Sequence, residues 1–204
     1  MLKKKGHKNF AALRRCAQEG VDYAIEWRLG VSGIAVMAPH GGGIEPGTDI
    51  IADAVAGQSH TYYAFKGLRH YGNRELHLPS QRFDEPRALS LARNSRTVLT
   101  IHGCRDAVAA AFLGGRDEQA KEFMAGALAK AGCRVIRNPR SALQGVHPDN
   151  LCNLGRKAKG IQLEISFGLR QRLLPKAGRG VEPAASCSLR AFIRAVKGVL
   201  AMIG

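Results

Sequence analysis

The feature that most constrains the fold is the stretch at residues 37–48, which reads MAPHGGGIEPGT. The apolar run at residues 33–38 predicts a buried strand, and His40, three glycines and Glu45 follow it. Thr48 is the predicted N-cap of the next helix. A strand that passes through a glycine loop into a helix is how α/β folds present functional side chains at the carboxyl edge of a sheet. The glycines permit backbone angles that other residues resist, so the His and Glu side chains could turn toward one point.

Two further predicted strands carry residues of the same chemical kind. Residues 97–101 are followed directly by His102, and residues 161–165 contain Glu164. Neighbouring strand ends lie side by side in a parallel sheet, so these groups are expected to converge with His40. Two imidazoles and one carboxylate are the ligand set of catalytic zinc sites, and a further carboxylate can act as a general base. The sequence therefore indicates a zinc site.

Each of these residues also has a structural interpretation that the sequence leaves open. His40 could be a loop histidine bonded to the backbone, and His102 could be a core histidine. Glu45 could favour a helix N-terminus. Glu164 lies in an apolar strand, where an unpaired carboxylate is costly, so it faces either solvent on an edge strand or a functional site.

The remaining pattern predicts an α/β protein. Predicted helices alternate with predicted strands, which is typical of a mostly parallel or mixed sheet. The predicted helices cover residues 9–19, 49–56, 85–93, 117–131 and 189–202, and the predicted strands cover residues 23–28, 33–38, 59–65, 75–78, 97–101, 134–136 and 161–165. Residues 138–160 are predicted to be loops. We expect one domain over residues 1–204, with an open mixed sheet flanked by helices and a disordered basic tail at residues 1–8.

Composition narrows the functional classes. No apolar run approaches the length of a membrane span, and no apolar segment follows the basic N-terminus, so we expect no signal peptide and a cytoplasmic protein. The five cysteines are scattered, without a C-x-x-C pair, which argues against a disulfide framework and predicts free thiols. The 31 Lys and Arg residues against 16 Asp and Glu residues give a net charge of +15. Such a surface attracts polyanions, of which nucleic acid is the commonest.

Six segments together resemble a known family, the poly-γ-glutamate hydrolases encoded by phages and prophages. The resemblance extends over residues 10–173. The segments are HGGGIEPGT at residues 40–48, GNRELH at residues 72–77, FDEP at residues 83–86, IHGC at residues 101–104, GGRD at residues 114–117 and QLEIS at residues 162–166. This resemblance implies a compact α/β fold similar to zinc carboxypeptidases, with one Zn²⁺ ion.

The resemblance also implies roles for individual residues. His40, Glu45 and His102 would hold the zinc ion, and Glu164 would be the general base. The substrate would be poly-γ-glutamate, an anionic polymer that the protein would meet after release by host lysis. The candidate carboxylate-binding residues are Arg74, Arg116, Arg156 and Arg170, because guanidinium groups bind carboxylates in a bidentate fork. Asn153 is a further candidate, which could orient the substrate or serve core hydrogen bonding. Taken alone, each arginine is more readily interpreted as a solvated surface charge or as the partner of a neighbouring acidic residue.

Two other functions remain open at this point. The charge alone favours a nucleic-acid-binding replication protein, although only 6% of the residues are aromatic and no base-stacking surface is evident. A zinc amidohydrolase or carboxypeptidase that acts on other peptides would share the same ligand set.

Overall fold

The computed structural model describes residues 7–137, 139–175 and 187–204. Within them, seven strands form one mixed sheet in the order β1-β3-β2-β4-β7-β5-β6. The strands are β1 (Tyr23–Arg28), β2 (Ile34–Gly42), β3 (Thr61–Gly67), β4 (Thr97–Cys104), β5 (Ala111–Gly115), β6 (Val135–Ile136) and β7 (Ile161–Ser166). The predicted class, a single-domain α/β fold with an open mixed sheet flanked by helices, is confirmed.

The central strands β3, β2, β4 and β7 are parallel to one another, so their carboxyl ends meet at one edge of the sheet. The outer strand β1 is antiparallel to β3, and β5 is antiparallel to β7. The register places His102 of β4 directly beside Glu164 of β7. This edge therefore collects the side chains that the sequence singled out.

Helices cover both faces of the sheet. They are α1 (Phe10–Leu13), α2 (Thr48–Ala56), α3 (Pro86–Asn94), α4 (Glu118–Lys130), α5 (Phe167–Leu173) and α6 (Leu189–Ile203), with short 3-10 turns at Asn73–Leu76, Ser80–Arg82, Ser141–Leu143 and Leu151–Asn153. One core contains side chains of α2, α4, α5 and α6, and a second core on the opposite face contains side chains of α1 and α3. None of the helices in the described segments is both long and apolar enough to span a bilayer.

Two predicted elements are wrong in type or length. The helix predicted at residues 9–19 ends at Leu13, and residues 14–16 form a turn instead. Further along, the Asp22 carboxylate accepts the Gln18 N–H at 2.8 Å. The strand predicted at residues 75–78 is instead the 3-10 turn Asn73–Leu76, which follows Gly72 in the left-handed region at φ 77°.

Three local features at the predicted site were missed or displaced. Gly47, rather than Thr48, occupies the N-cap of α2, and Thr48 is the first helical residue. Strand β5 and helix α5 were not predicted at all. Helix α5 begins where the Ser166 hydroxyl accepts the Leu169 N–H at 3.0 Å, so a side-chain cap directly after β7 turns the chain into a helix.

The prediction that all cysteines are free thiols is wrong for two of them. Cys133, just after α4, forms a disulfide with Cys187, just before α6, across a separation of 54 residues. The packing of α4 on α6 brings the two residues together, and sequence spacing alone does not reveal that contact. Cys16, Cys104 and Cys152 remain free. The predicted basic tail falls mostly on residues 1–6, which lie outside the described segments.

Thiol counting tests the disulfide. Protein that is denatured without reductant should expose three reactive thiols, from Cys16, Cys104 and Cys152, and reduction should raise the number to five. The substitution Cys133→Ser should leave four thiols and lower the free energy of unfolding by about 2–4 kcal/mol, because the cross-link no longer restricts the unfolded chain. Five thiols before reduction, in protein purified under oxidising conditions, would contradict the pairing.

Candidate metal centre and cleft

The glycine loop after β2 aims His40 and Glu45 at each other. Gly42 has φ 58°, and a Cβ there would lie 2.5 Å from the carbonyl oxygen of Gly67, so only glycine fits this position. The Glu45 N–H donates to the His40 carbonyl at 2.9 Å, and the Thr48 hydroxyl donates to the Glu45 carbonyl at 2.9 Å. These two hydrogen bonds close the loop and direct the His40 and Glu45 side chains to one side.

Side chains from β2, its loop and β4 converge at the carboxyl edge. His40 Nδ1 lies 3.1 Å from His102 Nδ1 and 3.3 Å from Glu45 Oε1. His102 Nδ1 lies 3.8 Å from Glu45 Oε2, which also accepts the Gly103 N–H at 2.8 Å. Both imidazoles are 2% exposed. The structure therefore brings together the three residues that the sequence offered as metal ligands.

The hydrogen bonds determine which nitrogens can act as metal donors. His40 Nε2 lies 2.7 Å from the carbonyl oxygen of Leu78, which can only accept, so this nitrogen carries the proton. Nδ1 of His40 is then a lone-pair donor that faces His102. His102 Nε2 is buried and has no partner among the described residues. When His102 carries its proton on Nε2, the lone pairs of the two Nδ1 atoms face each other at 3.1 Å, and a cation between them would use both, although Nε2 would stay without a partner in the described part of the chain.

The spacing of the donor atoms fits one tetrahedral ion. Nitrogen or oxygen donors bound tetrahedrally at about 2.0–2.1 Å lie about 3.3 Å apart, and the centroids of two such imidazoles lie about 5 Å apart. The rings of His40 and His102 have centroids 4.9 Å apart. The donor set formed by His40, Glu45 and His102 is therefore chemically and geometrically suited to Zn²⁺.

A third imidazole lies next to this set. His77 stacks on His40 with a centroid distance of 3.9 Å, and its Nε2 lies 3.7 Å from Glu45 Oε1. Donor atoms of His40, Glu45 and His77 lie within 4.8 Å of one another and form an alternative ligand set. The stacked rings are closer together than two imidazoles on one tetrahedral ion, which makes His77 a poorer ligand than His102 in this arrangement.

The electrostatics favour an anionic Glu45 between imidazoles. Burial raises the pKa of Glu45, but His40 and His102 outweigh burial and hold that pKa well below its usual range. Burial lowers the pKa of His102, but Glu45 and Glu164 outweigh it and raise that pKa. The neighbouring His40 and burial together lower the pKa of His77 to about 3, so His77 is neutral at pH 7.

Glu164 is held in place by a buried chain of amides. Gln162 Nε2 donates to Glu164 Oε1 at 3.1 Å, and Asn150 Nδ2 donates to Gln162 Oε1 at 2.9 Å. Burial raises the pKa of the Glu164 carboxyl, which makes it a stronger base than an exposed carboxylate. Glu164 faces the site rather than solvent, although it is not within hydrogen-bonding distance of the three candidate ligands.

These groups lie at the base of a cleft of about 970 Å³. One wall is the segment at residues 74–81, and the other is the loop at residues 140–150. Four arginines line the cleft, and Glu45 and Glu164 are the acidic residues among its described lining. The arginines are Arg74, Arg105, Arg140 and Arg170. A cleft with this charge excess attracts anionic ligands.

Only some of the candidate substrate-binding residues reach the cleft. Arg74 and Arg170 line it, and the Arg170 guanidinium donates to the carbonyls of Cys104 and Ile165.

The other three candidates do not line it. Arg116 follows β5, whose end pairs with Ile161 at the start of β7, away from the carboxyl edge. Arg156 is bonded through its N–H to the Ser95 carbonyl, before β4. Asn153 is buried and its amide donates to the carbonyls of Gly145 and His147, so it supports the cleft loop rather than facing a ligand.

Sequence reasoning missed four residues of this site. His77 was part of a recognised segment but was predicted to lie in a strand, which gave it no reason to point at His40. Arg105 follows His102 by three residues, so its place just after a strand end was the available signal. Arg140 and Asn150 lie in the long loop at residues 138–160, where no local pattern indicates which side chains turn inward.

The fold and the site define an α/β protein with a buried His-Glu-His donor set, a nearby carboxylate and a cationic cleft. The model of the family described as Poly-gamma-glutamate hydrolase matches residues 7–194. The chain belongs to this family.

Solved structures and a curated relative agree with that assignment. The fold is similar to a structure described as bacteriophage poly-gamma-glutamate hydrolase, with a TM-score of 0.87, 28% sequence identity and 97% of each chain covered. It is also similar to a zinc-free apo form of YndL, with a TM-score of 0.83, 29% identity and 96% of each chain covered. The chain is 34% identical over 168 residues to the UPF0714 protein YndL of Bacillus subtilis (strain 168). That alignment covers 82% of this chain and 66% of the length of YndL.

Zinc binding by single variants distinguishes the two ligand sets. We expect His102→Ala to weaken Zn²⁺ affinity by more than about 100-fold, because it removes a donor atom, and His77→Ala to weaken it by about 10-fold or less. Competition with a chromophoric chelator measures both affinities. His70→Ala, an exposed histidine outside the cleft lining, is the control and should bind zinc like the wild type. The opposite order, with His77→Ala the weaker binder, would assign the metal to His77.

Proposed function

We propose that the protein is a zinc-dependent hydrolase that cleaves the γ-glutamyl amide bonds of poly-γ-glutamate. The observation that carries the proposal is the convergence of two Nδ1 atoms and a carboxylate within 3.1–3.8 Å at the base of a cationic cleft. Family membership supports the reaction class, and a relative with a structure described as zinc-free supports the choice of metal. In this proposal His40, Glu45 and His102 hold the ion.

The chemistry of γ-amide hydrolysis needs the groups that the cleft contains. A bound Zn²⁺ ion polarises a carbonyl group and lowers the pKa of water to about 7. Glu164, oriented by Gln162, takes a proton from the attacking water and delivers it to the leaving amine as the C–N bond breaks. His102 and its acidic neighbours fix the donor geometry before substrate arrives, so little rearrangement accompanies the reaction.

The charge of the cleft suits the proposed polymer. Each residue of poly-γ-glutamate carries an α-carboxylate next to its γ-amide bond, so a bound segment brings several negative charges into the cleft. Arg74 and Arg170 line the cleft and supply positive charge there. The net charge of +15 adds long-range attraction, which salt weakens.

Hydrolysis assays with matched polymers test the proposed function. The purified protein should shorten poly-γ-glutamate, lose activity on treatment with a chelator and regain it on addition of Zn²⁺. Poly-α-glutamate is the control, because it carries the same charge per residue on an ordinary peptide backbone. Equal cleavage of both polymers would favour the alternative of a broader peptidase, and full activity after complete zinc removal would reject the metal mechanism.

Replacing the base separates its role from metal binding. We expect Glu164→Gln to retain one zinc ion per chain and to reduce kcat by about 10²–10⁴-fold, because the amide cannot accept the proton. Metal analysis and turnover on the same sample make the comparison. Glu122→Gln, at an exposed position of helix α4, is the control for loss of one carboxylate. A Glu164→Gln variant that turns over at the wild-type rate would remove Glu164 from the mechanism.

A further inference from the structure

The four arginines of the cleft differ in whether their guanidinium groups already have hydrogen-bond or ion-pair partners within the protein. Arg170 is buried, and its guanidinium donates to two backbone carbonyls. Arg140 forms an ion pair with Asp106 at 3.3 Å. Arg74 and Arg105 are exposed, and neither guanidinium has a hydrogen-bond or ion-pair partner among residues 7–137, 139–175 and 187–204. The guanidinium groups of Arg74 and Arg105 are therefore available to bind a ligand.

These two arginines lie on opposite sides of the donor set. Arg74 belongs to the turn whose Asn73 packs against Gly43 and Gly67, at the ends of β2 and β3. Arg105 directly follows β4, and its neighbour Asp106 accepts the Gly168 N–H through its carbonyl, on the side of β7 and α5. The end of β2 and its loop, which carry His40 and Glu45, lie between the two.

We propose that Arg105 is a specificity-determining residue that binds a substrate carboxylate on one side of the cleaved bond, while Arg74 binds a carboxylate on the other side. This inference rests on the proposed function, since it assigns the flanking α-carboxylates of the γ-glutamyl chain to two named residues. A guanidinium offers a planar pair of donors that matches one carboxylate, and an unpaired guanidinium pays no cost of breaking an existing ion pair on binding.

Arg170 contacts the backbone that precedes Arg105. Gly103 lies between His102 and Arg105, and any side chain at Gly103 would overlap the Arg170 guanidinium. Arg170 in turn holds the backbone of Cys104 through its carbonyl. The chain just before Arg105 is thereby fixed, so that its side chain extends from a rigid strand end into the cleft.

Binding to a catalytically inactive background tests the inference directly. In Glu164→Gln protein, we expect the additional change Arg105→Gln to weaken binding of a fluorescent γ-glutamyl oligomer by about 10-fold or more at low salt. Arg105→Lys keeps the charge but loses the fork and should show an intermediate loss. Arg15→Gln removes the same charge at an exposed position outside the cleft lining and should bind within about 2-fold of the parent. Anisotropy measures each dissociation constant, and zinc content and circular dichroism establish that each variant is folded.

A neutral ligand isolates the carboxylate contact. Against the same oligomer with its α-carboxylates converted to methyl esters, the parent and the Arg105→Gln variant should bind equally. A loss for Arg105→Gln no larger than that for Arg15→Gln, or an equal loss with the esterified oligomer, would overturn the subsite.

The outcome also separates this inference from the proposed reaction. If the wild type cleaves the polymer while Arg105→Gln has no effect on binding, the subsite is rejected and the hydrolase stands. If the wild type fails to cleave while Arg105→Gln still weakens binding, the reaction is rejected, and Arg105 stands as a carboxylate-binding residue of the cleft. No binding of the polymer by the parent would reject both.

Discussion

The whole site depends on the register of three parallel strands. Strands β2, β4 and β7 end at the same edge, and their pairing places His102 beside Glu164 and opposite His40. A shift of one residue in β4 would turn His102 to the other face of the sheet, into the apolar core that Ile101 now occupies. The apolar side chains that alternate with the polar ones therefore fix the chemistry as well as the fold.

Burial of polar groups at this edge is costly, and the structure compensates for most of that cost with specific bonds. The Leu78 carbonyl accepts a hydrogen bond from His40 Nε2, the Gly103 N–H donates to Glu45, and Gln162 donates to Glu164. The unpaired Nε2 of His102 and the two Nδ1 atoms that face each other are the part left uncompensated by the described residues. A cation held by the two Nδ1 atoms would engage both of their lone pairs, while Nε2 of His102 would still lack a partner among the described residues.

The sequence predicted much of the fold, because its strongest signals are local. Apolar strands followed by His40 and His102, and a carboxylate inside an apolar strand at Glu164, identified the central strands and the edge where they meet. The predictions failed where distant contacts decide the structure. The disulfide between Cys133 and Cys187 depends on the packing of helices α4 and α6. Strand β5 ends in two glycines, which concealed its strand character.

In the candidate site, too, residues with a local sequence signal could be predicted, and residues placed by distant contacts could not. The three candidate ligands could be found because each lies at or just after a strand end. Arg116 and Arg156 could not be separated from Arg74 and Arg105 by sequence, because all four are arginines in polar surroundings and only the sheet topology shows which edge each one occupies. His77 reaches the site from a 3-10 turn, whose geometry depends on Gly72 and on packing against the ends of β2 and β3.

The most direct test of the central claim is anomalous X-ray diffraction at the zinc absorption edge from crystals of the zinc-loaded protein. We expect one anomalous peak at about 2.0–2.2 Å from Nδ1 of His40, Nδ1 of His102 and a carboxylate oxygen of Glu45. Glu164 should lie close to the ion without binding it. A peak held by other residues, or no peak from protein saturated with zinc, would contradict the account.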